Sequence, residues 1–196
     1  MKGFYRRIVK IDVTRESFDI EALDEDILRT YLGGKGLASY LLRTLNPAGA
    51  DPMSPENCLI FATGPASGSP VWGSCRYGVF TKSPLTGLYL ESYSEGKVPE
   101  AIDATSFDAI VITGQSARPL VLTVHPERVE FHDARDIWGK ETYDTEDAVI
   151  KRFGVSDSGY KRPRAVVIGP ASENGVHFGI IANDYWRCAG RETCAR

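Results

Sequence analysis

Sulfur and imidazole are scarce in this chain, which has four cysteines, two methionines and three histidines among 196 residues. Cys58, Cys75, Cys188 and Cys194 stand at spacings that fit neither a disulfide framework nor a zinc pattern. That excludes reading the fold as stapled or nucleated by zinc. His125, His132 and His177 carry no Glu-x-x-His or His-x-x-x-His pattern, so no metal site is assigned from them. No apolar run approaches the ~18 residues of a membrane helix, and the N-terminus shows no apolar leader segment. Free cysteines in such a chain predict a reducing, cytoplasmic setting. An excess of charge of either sign is missing too: 23 Lys and Arg face 26 Asp and Glu, for a net charge of −3. Neither nucleic acid nor an anionic membrane is indicated as a partner.

What is there is ordinary for a folded globular domain, with 42% hydrophobic and 25% charged residues. A chain of this size buries roughly 70% of its unfolded surface, enough for a core without disulfides. The alternation in residues 4–13 predicts a strand, with Ser17–Glu21 as its hairpin partner. Asp24 reads as the N-cap of a helix that runs to about Leu32. A second helix covers Leu37–Leu45 and ends at Asn46-Pro47. Further strands are expected at Cys58–Thr63, Cys75–Thr81, Leu88–Tyr93, Asp108–Thr113, Pro119–His125, Val129–His132, Arg164–Ile168 and Val176–Ala182. Helices fit Pro99–Ala104 and Thr145–Phe153, the latter closed by Gly154. Strands broken by short helices, without strict alternation, predict an α+β fold of mostly antiparallel or mixed sheets.

Three local features bear on chemistry. Gly33-Gly34-Lys35-Gly36 lacks the spacing of a phosphate loop and follows a helix, so it reads as a glycine-rich turn between helices. Ile60–Thr63 leads into Gly64-Pro65-Ala66-Ser67 much as Val166–Ile168 leads into Gly169-Pro170-Ala171-Ser172. Each is followed by another strand that delivers a polar turn, Lys82-Ser83 or Asn183-Asp184. Gly-Pro turns are common after strands, which makes chance one reading of this echo. The other is a duplicated supersecondary unit whose two polar loops face one bipartite ligand. Finally, Arg76 and the pair Arg187 and Arg191 read as lying at strand-end loops rich in small residues. That combination suits capture of phosphate or carboxylate by guanidinium and backbone N–H groups.

A series of short runs then resembles one known family. It begins with Tyr31-Leu32-Gly33-Gly34-Lys35-Gly36-Leu37-Ala38, Asp51-Pro52-Met53-Ser54-Pro55-Glu56-Asn57 and Thr63-Gly64-Pro65. It continues through Arg76-Tyr77, Thr81-Lys82-Ser83-Pro84-Leu85-Thr86-Gly87 and Phe107-Asp108-Ala109-Ile110-Val111. Asp136-Ile137-Trp138-Gly139-Lys140, Ile168-Gly169-Pro170-Ala171 and Asn183-Asp184 complete it. In this order they resemble the N-terminal domain of the tungsten-dependent aldehyde:ferredoxin oxidoreductases, over about Tyr5 to Arg191.

The resemblance implies a pseudo-twofold, duplicated α+β pterin-binding domain over residues 1–191, with 192–196 departing from the family pattern. It implies a tungsten (or molybdenum) bis-pyranopterin cofactor, with magnesium between the pterin phosphates, in an enzyme converting aldehydes to carboxylic acids. Ferredoxin is the implied electron acceptor, and a homo-oligomer and the remaining C-terminal domains are implied partners. By position, Arg76, Ser94, Gly96, Arg187, Gly190 and Arg191 are the implied cofactor-binding residues. No catalytic and no metal-ligating residue is assigned. The family's iron-sulfur ligands and its catalytic acid–base residues lie beyond the matching region, so this chain alone is expected to be inactive. One departure stands inside the match: where the family pattern reads Asn-Ser-Gly-Gly, this chain has Tyr93-Ser94-Glu95-Gly96. Alternatives are a cofactor-free binding or scaffold module, or a family member that reduces aromatic thioesters.

Overall fold

The structure, a computed structural model, describes residues 2–154 and 163–190. Its centre is a six-stranded mixed sheet built from β1 (Arg7–Asp12), β2 (Ser17–Ala22), β3 (Leu59–Thr63), β4 (Arg76–Lys82), β5 (Tyr89–Glu95) and β6 (Ala109–Thr113). The order across the sheet is β2-β1-β6-β3-β4-β5. Only β1 and β6 run parallel, and every other neighbouring pair is antiparallel.

The inner strands are apolar along their length because both faces of the sheet are covered. Successive residues alternate between two cores, Ile8 in one and Val9 in the other, and likewise Ile60 and Phe61, Phe80 and Val79. Helices α1 (Glu25–Tyr31) and α2 (Gly34–Leu45) cover the first face through Leu28, Leu37 and Leu41. The second face packs on α3 (Val98–Ala104), the hairpin β7 (Leu120–Val124) and β8 (Val129–Asp133), and residues of the C-terminal part such as Ile181 and Ala189.

Local chemistry sets the boundaries. Asp24 caps α1 by accepting from the Asp26 N–H at 2.9 Å, and Glu25 pairs with Arg29 one turn on at 2.6 Å. The first strand is shorter than its alternation predicts because Asp108 interrupts it. The buried Asp108 carboxylate accepts the backbone N–H groups of Tyr5 and Arg7 at 3.1 and 3.3 Å, so β6 begins only at Ala109. Burial pushes that carboxyl above its ordinary range, against the pull of those bonds. The glycine run between the helices forms the expected turn. Gly34 has φ +53°, and a Cβ on Gly33 would stand 2.9 Å from the Thr63 carbonyl oxygen. The start of α2 therefore docks directly on the end of β3.

The C-terminal part departs most from expectation. After α4 (Thr142–Phe153), the segment expected as a strand over Arg164–Ile168 makes a single bridge, Val167 to Ala182. Pro170 instead opens a short helix, α5 (Pro170–Glu173), and the following strand starts late as β9 (Ile180–Asn183). Arg187–Gly190, expected as a loop, is strand β10, paired antiparallel to β9. The turn between them holds Asp184 and Tyr185 at φ +46° and +65°. Tyr185 is kept there by α4: its N–H donates to Glu146 at 2.9 Å and its hydroxyl to Asp147 at 2.6 Å.

The sequence echo has a partial counterpart. Both first elements meet their second elements antiparallel, but with four registered pairs in β3–β4 and one bridge in the other unit. The two polar turns do not converge. Lys82 reaches the Ala50 carbonyl at 2.5 Å, whereas Asn183 packs beneath the far end of β4 and β5.

Candidate functional site

A cleft of about 310 Å³ opens where α2 begins, β3 ends and β4 starts. Gly34, Gly64, Ser67, Ser74, Arg76 and Tyr93 line it. Part of its lining is open backbone: at Gly64 and Gly73 nothing stands within 4 Å of where a Cβ would be. Arg76, the first residue of β4, is exposed, and its side chain makes no ion pair or hydrogen bond among the described residues. Tyr93 projects over the same cleft, its ring packed edge-on against Phe80 with centroids 6.0 Å apart. Burial, reinforced by the Glu91 carboxylate, pushes the Tyr93 hydroxyl above its ordinary value, so it stays a neutral donor. Lys35 is not available to the cleft, being held by Glu91 at 2.7 Å. Among the described residues no imidazole, thiol or carboxylate lines the cleft, which fits this lining for binding an anion and not for moving protons.

Beside the cleft lies a buried polar knot centred on Asn183, which is fully buried. Its amide oxygen accepts from the Tyr77 hydroxyl at 2.9 Å and the Ser94 hydroxyl at 2.7 Å. Its amide nitrogen donates to the Glu95 carbonyl at 2.8 Å and to Asp184 at 3.0 Å. Asp184 accepts in addition the Lys97 N–H at 2.7 Å. The knot ties β4, β5 and β9 together and fixes the end of β5.

The residues expected to hold a cofactor divide between these two places. Arg76 is in the cleft and open. Ser94 is spent on Asn183, so its hydroxyl shapes the knot and does not face the cleft. Gly96 has φ +101° and lies tight beneath the Asp184 carboxylate and the Arg187 stem, leaving no room for a Cβ. Arg187 pairs with Glu95 at 2.6 Å and lies over the Trp186 ring at 4.4 Å. Gly190 donates its N–H to the Ser92 hydroxyl at 2.9 Å. Arg191 lies outside the described residues. Among the described residues no group of three or more His, Cys, Asp or Glu could hold a metal ion, and no helix is long and apolar enough to cross a membrane. Sequence reasoning missed the central role of Asn183 and the pairing of Glu95. Register could have suggested the placement of Glu95, since Arg76 and Glu95 face each other across β4 and β5.

Residues 8–195 match the family described as the aldehyde ferredoxin oxidoreductase N-terminal domain. The chain belongs to that family. It is 38% identical over 192 residues to a tungsten-containing aldehyde ferredoxin oxidoreductase of Pyrococcus furiosus, covering 97% of this chain and 31% of that one. A protein of the same description from Pyrococcus abyssi is likewise 38% identical with the same coverage. Among solved structures, the active site complex BamBC of benzoyl coenzyme A reductase with 1,5-dienoyl-CoA matches with a TM-score of 0.89 and 30% identity, over 97% of this chain and 28% of that one. This chain spans about a third of the length of the curated relatives it matches.

Proposed function

We propose that this chain is the cofactor-holding base of a tungsten oxidoreductase that converts aldehydes to carboxylic acids, with ferredoxin as electron acceptor. The single observation that carries the reading is the cleft with open glycine backbone in its lining and an Arg76 side chain unpartnered among the described residues, in a chain of this family. A flat, anionic group fits such a surface: backbone admits its face, and guanidinium with hydroxyls takes its charge. The side beyond β5 fits less readily, because Arg187 there already holds a carboxylate.

In this reading a tungsten (or molybdenum) bis-pyranopterin with its magnesium would supply the two-electron chemistry. The chain's own part is binding and orientation. Arg76 would hold an anionic end, Ser67 and the neutral Tyr93 hydroxyl would donate to it, and Ser94 and Gly96 shape the wall through the Asn183 knot. Arg187, Gly190 and Arg191 serve the phosphate side. Ferredoxin, further domains of the same polypeptide and a homo-oligomer are the partners this implies.

The likeness to the benzoyl coenzyme A reductase complex is compatible with a second reading, an enzyme that reduces aromatic thioesters on the same anchoring base. Both readings need the pterin; a scaffold module does not. Protein purified from a host that makes the pterin and is fed tungstate should carry tungsten and pterin phosphate in a fixed ratio, and R76A should lose most of both. Metal-free, pterin-free protein from such a host would sink the proposal in favour of the scaffold.

A further inference from the structure

Glu95 occupies the guanidinium that the proposed function assigns to phosphate. Arg187 Nη1 lies 2.6 Å from Glu95 Oε1. Arg76 stands directly opposite Glu95 in the β4–β5 ladder, and opposed residues of an antiparallel pair share a face. Glu95 therefore shares a sheet face with the arginine of the cleft, while its carboxylate is paired with the arginine beyond it.

The two partners of the ion pair differ in freedom. Arg187 is held along its length: its Cδ lies 3.1 Å from where a Gly96 Cβ would be, and its guanidinium lies over Trp186. The Glu95 side chain is 43% exposed against 27% for Arg187, and only its backbone is tied, by Asn183. An incoming anion would move the glutamate into water and leave the arginine where it is.

We propose that Glu95 is a resident counter-anion for Arg187, so that a phosphate-bearing ligand engages Arg187 only by displacing it, while Arg76 is open from the outset. The inference rests on the cofactor reading above, since it takes the arginines to serve a phosphate. Exchange of one charge-assisted bond for another leaves Arg187 contributing little net affinity. Without the carboxylate the arginine contributes in full, and repulsion of the ligand disappears.

Calorimetric titration of the full chain with inorganic pyrophosphate tests this. Glu95→Gln, which keeps size and backbone, should bind pyrophosphate roughly two- to fivefold more tightly than the parent, in line with a partly exposed ion pair. The gain should shrink as salt is raised. Adding R187Q should erase the gain, whereas R76Q should weaken binding with or without the Glu95 change. An unchanged affinity in E95Q, a gain that survives R187Q, or no binding by any of the proteins would overturn the proposal. Melting temperatures recorded alongside separate a local effect from misfolding, and an E95Q protein melting well below the parent would also count against it. If E95Q tightens pyrophosphate as expected but protein from the tungstate-fed host carries no pterin phosphate, the cofactor reading fails and the pairing stands.

Discussion

Replacing Asn183 with alanine should destabilise the fold by about 2–4 kcal/mol. The figure follows from what the amide does in the knot. Its oxygen is the acceptor for both Tyr77 and Ser94, at 2.9 and 2.7 Å, and both residues are buried. A buried donor left unmet costs ~1–3 kcal/mol. Because the two hydroxyls converge on one atom, they can bond to each other once it is gone, which relieves one of the two. The Glu95 carbonyl loses its donor as well, and a cavity remains where the amide was. Urea denaturation measures the loss, with an unchanged m-value confirming that the native state keeps its compactness. Adding Tyr77→Phe provides the sharper test. With the acceptor already removed, deleting the tyrosine hydroxyl should cost about 1 kcal/mol less than it does in the parent. Additive losses, or a loss from N183A below ~1 kcal/mol, would refute the account of Asn183 as the tie between β4, β5 and β9.

Gly96→Ala should cost about 1–3 kcal/mol, since φ is +101° and the new methyl would displace the Asp184 carboxylate from the Lys97 N–H; thermal unfolding reads it, and a neutral substitution would contradict the packing described. Acid sensitivity follows from Asp133, whose carboxyl is lowered from its ordinary 3.8 to about 2, chiefly by a hydrogen bond from the Arg135 side chain. A depressed folded pKa makes a contribution that is present above pH 4 and is lost as pH falls toward 2. D133N should therefore flatten part of the stability-against-pH curve between pH 4 and 2 and leave its shape near neutrality; an identical acid slope in both proteins would count against that pairing.

Sequence alone settled those elements whose chemistry is local. The Asp24 cap, the glycine turn at residues 33–36, and the strands β3, β4 and β5 were legible because capping, turn and alternation signals act over a few residues. It also placed the chain in its family, through motifs too ordered along the chain to be coincidental, and pointed to Arg76, which the fold leaves open at the cleft. The C-terminal part was misread because its apolar runs carry no periodic signal strong enough to separate a bridge, a short helix and a late strand. Tertiary structure decided those, and with them the fate of the expected ligand residues. Ser94 and Gly96 became parts of a buried knot, and Arg187 became the partner of a glutamate. Residues about ninety apart in sequence meet there, and no local pattern encodes such a meeting. Hydrogen-bonding capacity is finite, so which groups remain free for a ligand is known only once the fold has used the rest.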